Sequence, residues 1–291
     1  MVQTLTAVIR ANCVLAGWRL FFLALPMLAG PASAVAQGGN AVIMPDLGAL
    51  QSRMAVRPDT FTVIEPHLSL NEQQTKIDYV GYPAARVFDV LLGPGWKEIE
   101  ADIEFRALDG YVSRIEIARF RQYPAYLVFA IKGQTAFTVD NLRQNQKNVP
   151  LGPYYLIWDN LHSPELIGQE AADWPYQISQ IAISTARKEA LLPGGLARQY
   201  VEHAGLAQKH CLTCHRVNGY GGDKWPIDLA VRAKAMKEDA FLQWVLNPSA
   251  QKPGTTMPPL LVSHPDSERH AAARKIYRYF LALPAQKNPK R

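Results

Sequence analysis

The chain has 291 residues, 48% apolar and 19% charged, with a formal net charge of +6. This is the composition of a globular protein rather than a disordered one. A charge excess so small, with no basic run, argues against nucleic acid as a partner. The length makes two domains a fair expectation.

The first 36 residues read as an export signal. Arg10 and Arg19 precede the apolar run Leu20 to Ala29. Ala32-Ser33-Ala34 and Ala34-Val35-Ala36 both fit a cleavage site. Arg19 interrupts the longer apolar stretch, so what is left is short for a bilayer span. A membrane is expected to be met only through this segment, and only if it stays uncleaved. Cleavage removes Cys13 and leaves a periplasmic chain whose two cysteines are Cys211 and Cys214.

Residues 37–190 read as a mixed α/β domain with strands in the majority. A short helix is expected over 83–92, closed by Gly93-Pro94-Gly95. The segments "IEFRAL" and "YVSRIEI" flank Asp109-Gly110, a hairpin signal. "AYLVFAI" (125–131) and "YYLIW" (154–158) read as buried strands. Residues 176–184 alternate but change phase near Gln180, as at a bulge. Asp109, Tyr111, Asp159, His67 and His162 are the possible site residues here, although turns and loops account for each. Trp158, Trp174, Tyr154, Tyr155 and Tyr176 read as core.

Pro193-Gly194-Gly195 then marks a linker or a helix start, and 195–291 reads as helical. Helices are expected over 196–210, over 233–247 with Phe241, Trp244 and Val245 on one face, and over 267–283 with Ile276, Phe280 and Leu283 aligned. Charge divides with the domains. Residues 195–291 hold 15 Lys/Arg and 7 Asp/Glu (+8), against 14 and 18 (−4) over 37–194.

Helix 196–210 leads into "KHCLTCHRVNGYGG". Four uses suit two thiols at this spacing. A thioredoxin-like dithiol belongs beside a βαβ unit, and none is visible. Structural zinc needs a fourth ligand. A plain disulfide gives no reason for the adjacent histidine. Covalent haem attachment explains all three residues: Cys211 and Cys214 form thioethers with the haem vinyl groups, and His215 reaches the iron. A second axial ligand comes from Met44, Met54, Met236 or Met257. Met257 is favoured, because Pro258 and Pro259 stiffen its loop and His/Met ligation is the cytochrome c pattern. Met236 reads as core filler. His264 and His270 are competing ligands in a charged stretch.

With "CLTCH", "NGYGGDKWPIDL" and "NPSAQKPGTTMPP" in this order before a terminal helix, residues 195–285 resemble class I cytochrome c. The resemblance implies an all-α cytochrome c fold for 195–291. It also implies that the Pro226 carbonyl accepts the second ring N–H of His215 and that Leu229 lines the haem pocket. Trp225 stands where the family usually has glycine. Residues 80–184 resemble, more weakly, the molybdopterin-binding domain of the sulfite oxidase family. They carry neither its metal-ligand cysteine nor its basic pterin pocket, which implies a cofactor-free scaffold.

The expectation is therefore a two-domain periplasmic protein with one covalently attached haem c, whose iron is held by His215 and Met257. It carries single electrons from a dehydrogenase to a cytochrome or oxidase acceptor and has no catalytic residues of its own. Lys209, Arg216, Lys224, Lys234, Lys237 and Lys252 are candidates to steer an acidic partner. The alternatives are a molybdenum oxidoreductase with a fused haem domain and a haem-based ligand sensor.

Overall fold

The computed structural model describes residues 41–69, 73–167, 169, 171–185, 191–194, 196 and 198–284. The export signal lies outside them, as does part of the expected linker. No helix among the described residues is long and apolar enough to cross a membrane.

Two four-stranded antiparallel sheets build the first part. One has the order β1 (Val42–Ile43), β10 (Ile178–Ser184), β4 (Asp102–Ala107), β5 (Val112–Glu116). The other has the order β2 (Asp59–Ile64), β3 (Lys76–Pro83), β6 (Ala125–Ile131), β9 (Tyr155–Trp158). A β7–β8 hairpin (Thr138–Asn141 with Gln146–Pro150) stands apart. Gly110, at φ 86, turns β4 into β5. The phase change in β10 is a register shift between Ile178 and Gln180. Helix α1 (Leu47–Arg53) starts where Asp46 accepts from the Ala49 N–H at 2.8 Å. Helix α2 (Ala84–Leu91) buries Val87, Phe88 and Leu91, and α3 (Ile117–Gln122) follows β5 directly. Phe88 and Trp96 meet edge to face at 5.2 Å, and Phe120 packs 4.9 Å from Trp158. This aromatic cluster is the centre of the first apolar core.

A second core gathers Leu212, Val217, Phe241, Val245, Ile276 and Phe280. Here the structure corrects the expected fold class. The C-terminal part is not an all-α cytochrome c fold beside a sulfite oxidase-like domain. Its helices are mostly short: α4 (Val201–His210), α5 (Leu229–Lys234), α6 (Glu238–Leu246) and α7 (Pro248–Gln251), with only α8 (Asp266–Ala282) long. A ribbon of β11 (Arg216–Val217) and β12 (Tyr220–Gly221) lies among them. The physical reason is Asn218-Gly219. Both residues have positive φ, 50° and 82°, as a type I′ hairpin turn requires. The helix expected over 233–247 is likewise two helices, α5 and α6, broken at residues 235–237. Asp228 caps α5 through its side chain, and that cap draws the helix start forward to Leu229.

The two cores belong to one contact unit. Strand β5 is a sheet edge, and its Val112 N–H donates to the Thr213 carbonyl at 2.8 Å. The Asp223 N–H donates to the Gly110 carbonyl at 2.7 Å, and Lys224 pairs with Asp109 at 2.8 Å. The first part thus grips the loop that carries the cysteines.

Candidate functional site

Helix α4 delivers the motif. The Cys211 N–H ends the helix on the Ala207 carbonyl at 2.8 Å. The N–H groups of Cys214 and His215 then both turn back to the Cys211 carbonyl, at 3.3 and 3.0 Å. One tight turn therefore holds both thiols and the imidazole. Gly222 locks it by donating to the carbonyls of Leu212 and His215 at 2.8 and 3.0 Å. Only glycine fits there, since a Cβ at 222 would lie 2.0 Å from the Thr213 oxygen.

His215 Nδ1 lies 3.0 Å from the carbonyl oxygen of Trp225. This corrects the expected acceptor, Pro226, by one residue. Trp225 precedes a proline, which biases it to extended backbone. Its own N–H donates to the Cys214 carbonyl at 2.9 Å, so the residue is tied to the motif in both directions. Burial pulls the His215 pKa down, and the bond to Trp225 offsets part of that effect. The neutral imidazole with Nδ1–H on a carbonyl leaves Nε2 with a free lone pair, the form that binds metal.

Both thiols are free. Burial, and then the neighbouring Cys214, push the Cys211 thiol up to about 12. Burial also raises Cys214, against the pull of Lys224. A redox dithiol needs the opposite, a depressed thiol pKa. Among the described residues no three His, Cys, Asp or Glu side chains gather as a metal cluster.

A cavity of about 630 Å³ adjoins the motif. That volume is in the range of cofactor sites, about 300–1,000 Å³. Cys211, Cys214, His215, Met257 and Leu229 all line it, while Pro226 does not. Phe241, Val245, Leu260, Ile276 and Phe280 supply apolar wall from the second core. Met257 sits on a tethered loop. Its N–H donates to Thr255 Oγ1 at 3.2 Å, and the Leu260 N–H donates to the Val245 carbonyl at 2.9 Å. Arg269 clamps the same loop through the carbonyls of Leu260 and Leu246, at 3.0 and 2.7 Å.

The other candidates sort clearly. Met236 also lines the cavity, because the break between α5 and α6 exposes it there. Met44 and Met54 are buried in the first core. His264 bonds Glu268 at 3.2 Å and His270 is exposed, and neither lines the cavity. Asp109, Tyr111 and His67 line it from the first part, with Trp174 and Tyr176. Asp159 and His162 instead pair with each other at 2.9 Å, away from it. Of the cations expected to steer a partner, Lys209, Arg216 and Lys224 are paired with Asp173, Asp223 and Asp109. No protein-family model matches the chain, and no curated protein matches it.

Two half-buried thiols, a neutral imidazole and a thioether on one largely apolar cavity fit the donor set of a haem c. Trp174, Tyr176 and His67 were not legible as cavity residues, because they come from loops of the first part that only the packing of the two cores brings to this wall.

Proposed function

We propose that this protein is a periplasmic monohaem c-type cytochrome that carries single electrons between a dehydrogenase and a cytochrome or oxidase acceptor. The observation that carries the reading is the convergence of Cys211, Cys214, His215 and Met257 on one cavity.

Haem supplies reversible one-electron chemistry when bound. The residues of this chain do the rest. Cys211 and Cys214 would hold the macrocycle by thioethers, and the turn locked by Gly222 fixes their spacing. Trp225 keeps the His215 ring in one tautomer, with Nε2 as the ligand atom. Met257 offers a weak thioether from a clamped loop, which favours the reduced iron and raises the potential. Phe241, Ile276 and Phe280 supply apolar wall against the macrocycle's place. Were haem bound, His215 and Met257 would be the residues to hold its iron, and a donor set supplied by two side chains favours electron transfer over turnover at the metal.

The first part reads as a scaffold that closes one wall of the cavity. Its role as a docking module for a partner belongs to the same proposal. Expression with and without a host's cytochrome c assembly machinery tests the reading. Colour that survives denaturation, only with the machinery present, supports it. Colourless protein with two reactive thiols in both hosts rejects it.

A further inference from the structure

The cavity wall supplied by the first part holds a buried acid–base pair that simple electron carriage leaves unused. Glu65 is fully buried and His67 is 3% exposed. Glu65 Oε1 accepts from the His67 backbone N–H at 3.0 Å and lies 2.6 Å from His67 Nδ1. The Tyr79 hydroxyl donates to Oε2 at 2.6 Å, and the Tyr155 hydroxyl lies 3.0 and 3.1 Å from the two oxygens. A carboxylate ringed by donors is held ionised. An ionised acceptor places the Nδ1 proton on His67, so the nitrogen that gains or loses a proton is Nε2. Among the described residues Nε2 has no hydrogen-bond partner, and His67 lines the cavity.

Other ionisable groups face this pair from several elements. Burial, and then Glu65, raise both Tyr79 and Tyr155. Tyr176, whose ring lies 5.5 Å from the His67 ring, is raised chiefly by burial. From the segment after β7, Leu142 donates its N–H to the His67 carbonyl at 3.1 Å, and the Arg143 guanidinium bonds the Pro66 carbonyl at 3.4 Å. Across the cavity stands the Lys224–Asp109 ion pair. His67 Nε2 is thus the atom of this cluster left open to accept a proton from the cavity.

We infer that the Glu65–His67 pair is a proton-accepting site coupled to the redox centre, so that electron transfer by this protein is proton-linked. The inference rests on the haem reading above. When one electron arrives from the donor protein, His67 Nε2 binds one proton from solvent. When the electron leaves for the acceptor, that proton is released. Negative charge added to a poorly solvated cavity raises the proton affinity of a nearby imidazole, and the ionised Glu65 stabilises the resulting imidazolium.

The test is the midpoint potential of the haem-loaded full chain, measured against pH by spectroelectrochemistry. The wild-type potential should fall as pH rises over the range in which His67 exchanges its proton, approaching one proton per electron, or about 59 mV per pH unit. His67→Asn keeps an N–H donor toward Glu65 but takes up no proton, and should flatten that window. Glu65→Gln should move the window to lower pH. A flat wild-type profile, a His67→Asn profile with the wild-type slope, or a Glu65→Gln window that does not move would each overturn the inference while leaving a coloured cytochrome. Colourless protein would overturn the haem reading and this inference together.

Discussion

His215 and Trp225 are joined twice over: the imidazole Nδ1 lies 3.0 Å from the Trp225 carbonyl, while the Trp225 N–H holds the carbonyl of the preceding Cys214 at 2.9 Å. His215 is therefore oriented by the backbone of a loop that Pro226 stiffens. Pro226→Gly should lower stability by about 0.4–1 kcal/mol, mainly by loosening the unfolded chain, with haem still attached. Urea unfolding followed at the haem band checks this, with a lower midpoint and an unchanged slope expected.

Met257 and Met236 both line the cavity, but only Met257 has a clamped loop around it. Met257→Ala should keep the haem, lower the potential and let the reduced protein take up carbon monoxide. Met236→Ala should do none of these. If the two variants exchange these outcomes, Met236 is the distal ligand.

Cys211→Ala and Cys214→Ala should each leave one thioether and a reduced yield of coloured protein. The double variant should lose haem on denaturation. Staining of denatured protein after electrophoresis checks it.

Gly222→Ala places a methyl 2.0 Å from the Thr213 oxygen and 2.7 Å from its carbonyl carbon, both rigid backbone. The turn cannot keep its shape. Stability should fall by more than the ~1 kcal/mol usual for a point change, and haem attachment should fall with it. Gly205→Ala, with nothing within 4 Å, is the matched control.

Glu65 gives a pH prediction. Burial would raise its pKa, but the bonds from His67 and Tyr79 outweigh burial and leave it below the usual 4.5. A depressed carboxyl stabilises the fold above its unfolded pKa, and that contribution fades as pH falls through the folded value. Glu65→Gln should therefore be markedly less stable than wild type at pH 7. The gap should narrow below about pH 4.5. Denaturation midpoints at a series of pH values check the sign.

Local signals carried much of the first part. The Asp109-Gly110 turn, the runs at 125–131 and 154–158, and the phase slip at Gln180 all reappear as β4–β5, β6, β9 and the β10 register shift. Cys211, Cys214, His215 and Met257 line one cavity, and short spacing and a stiff loop are the local facts that pointed to them, whereas only the resemblance pointed to Leu229. What failed was a global inference. The resemblance to class I cytochrome c outweighed Asn218-Gly219, a hairpin signal in plain view, and so the ribbon was missed. Long-range partners were not legible either. Nothing in the spacing of Glu65, Tyr79 and Tyr155 announces that two strand-borne hydroxyls meet on one carboxylate, and nothing placed His67 on the cavity that Met257 lines.

The most direct test of the central claim is the intact mass and absorption spectrum of the mature chain made in a host competent for cytochrome c assembly. The account predicts a mass raised by one haem, a spectrum that sharpens on reduction, and no reactive thiol at Cys211 or Cys214. An unmodified mass with both thiols free would contradict it.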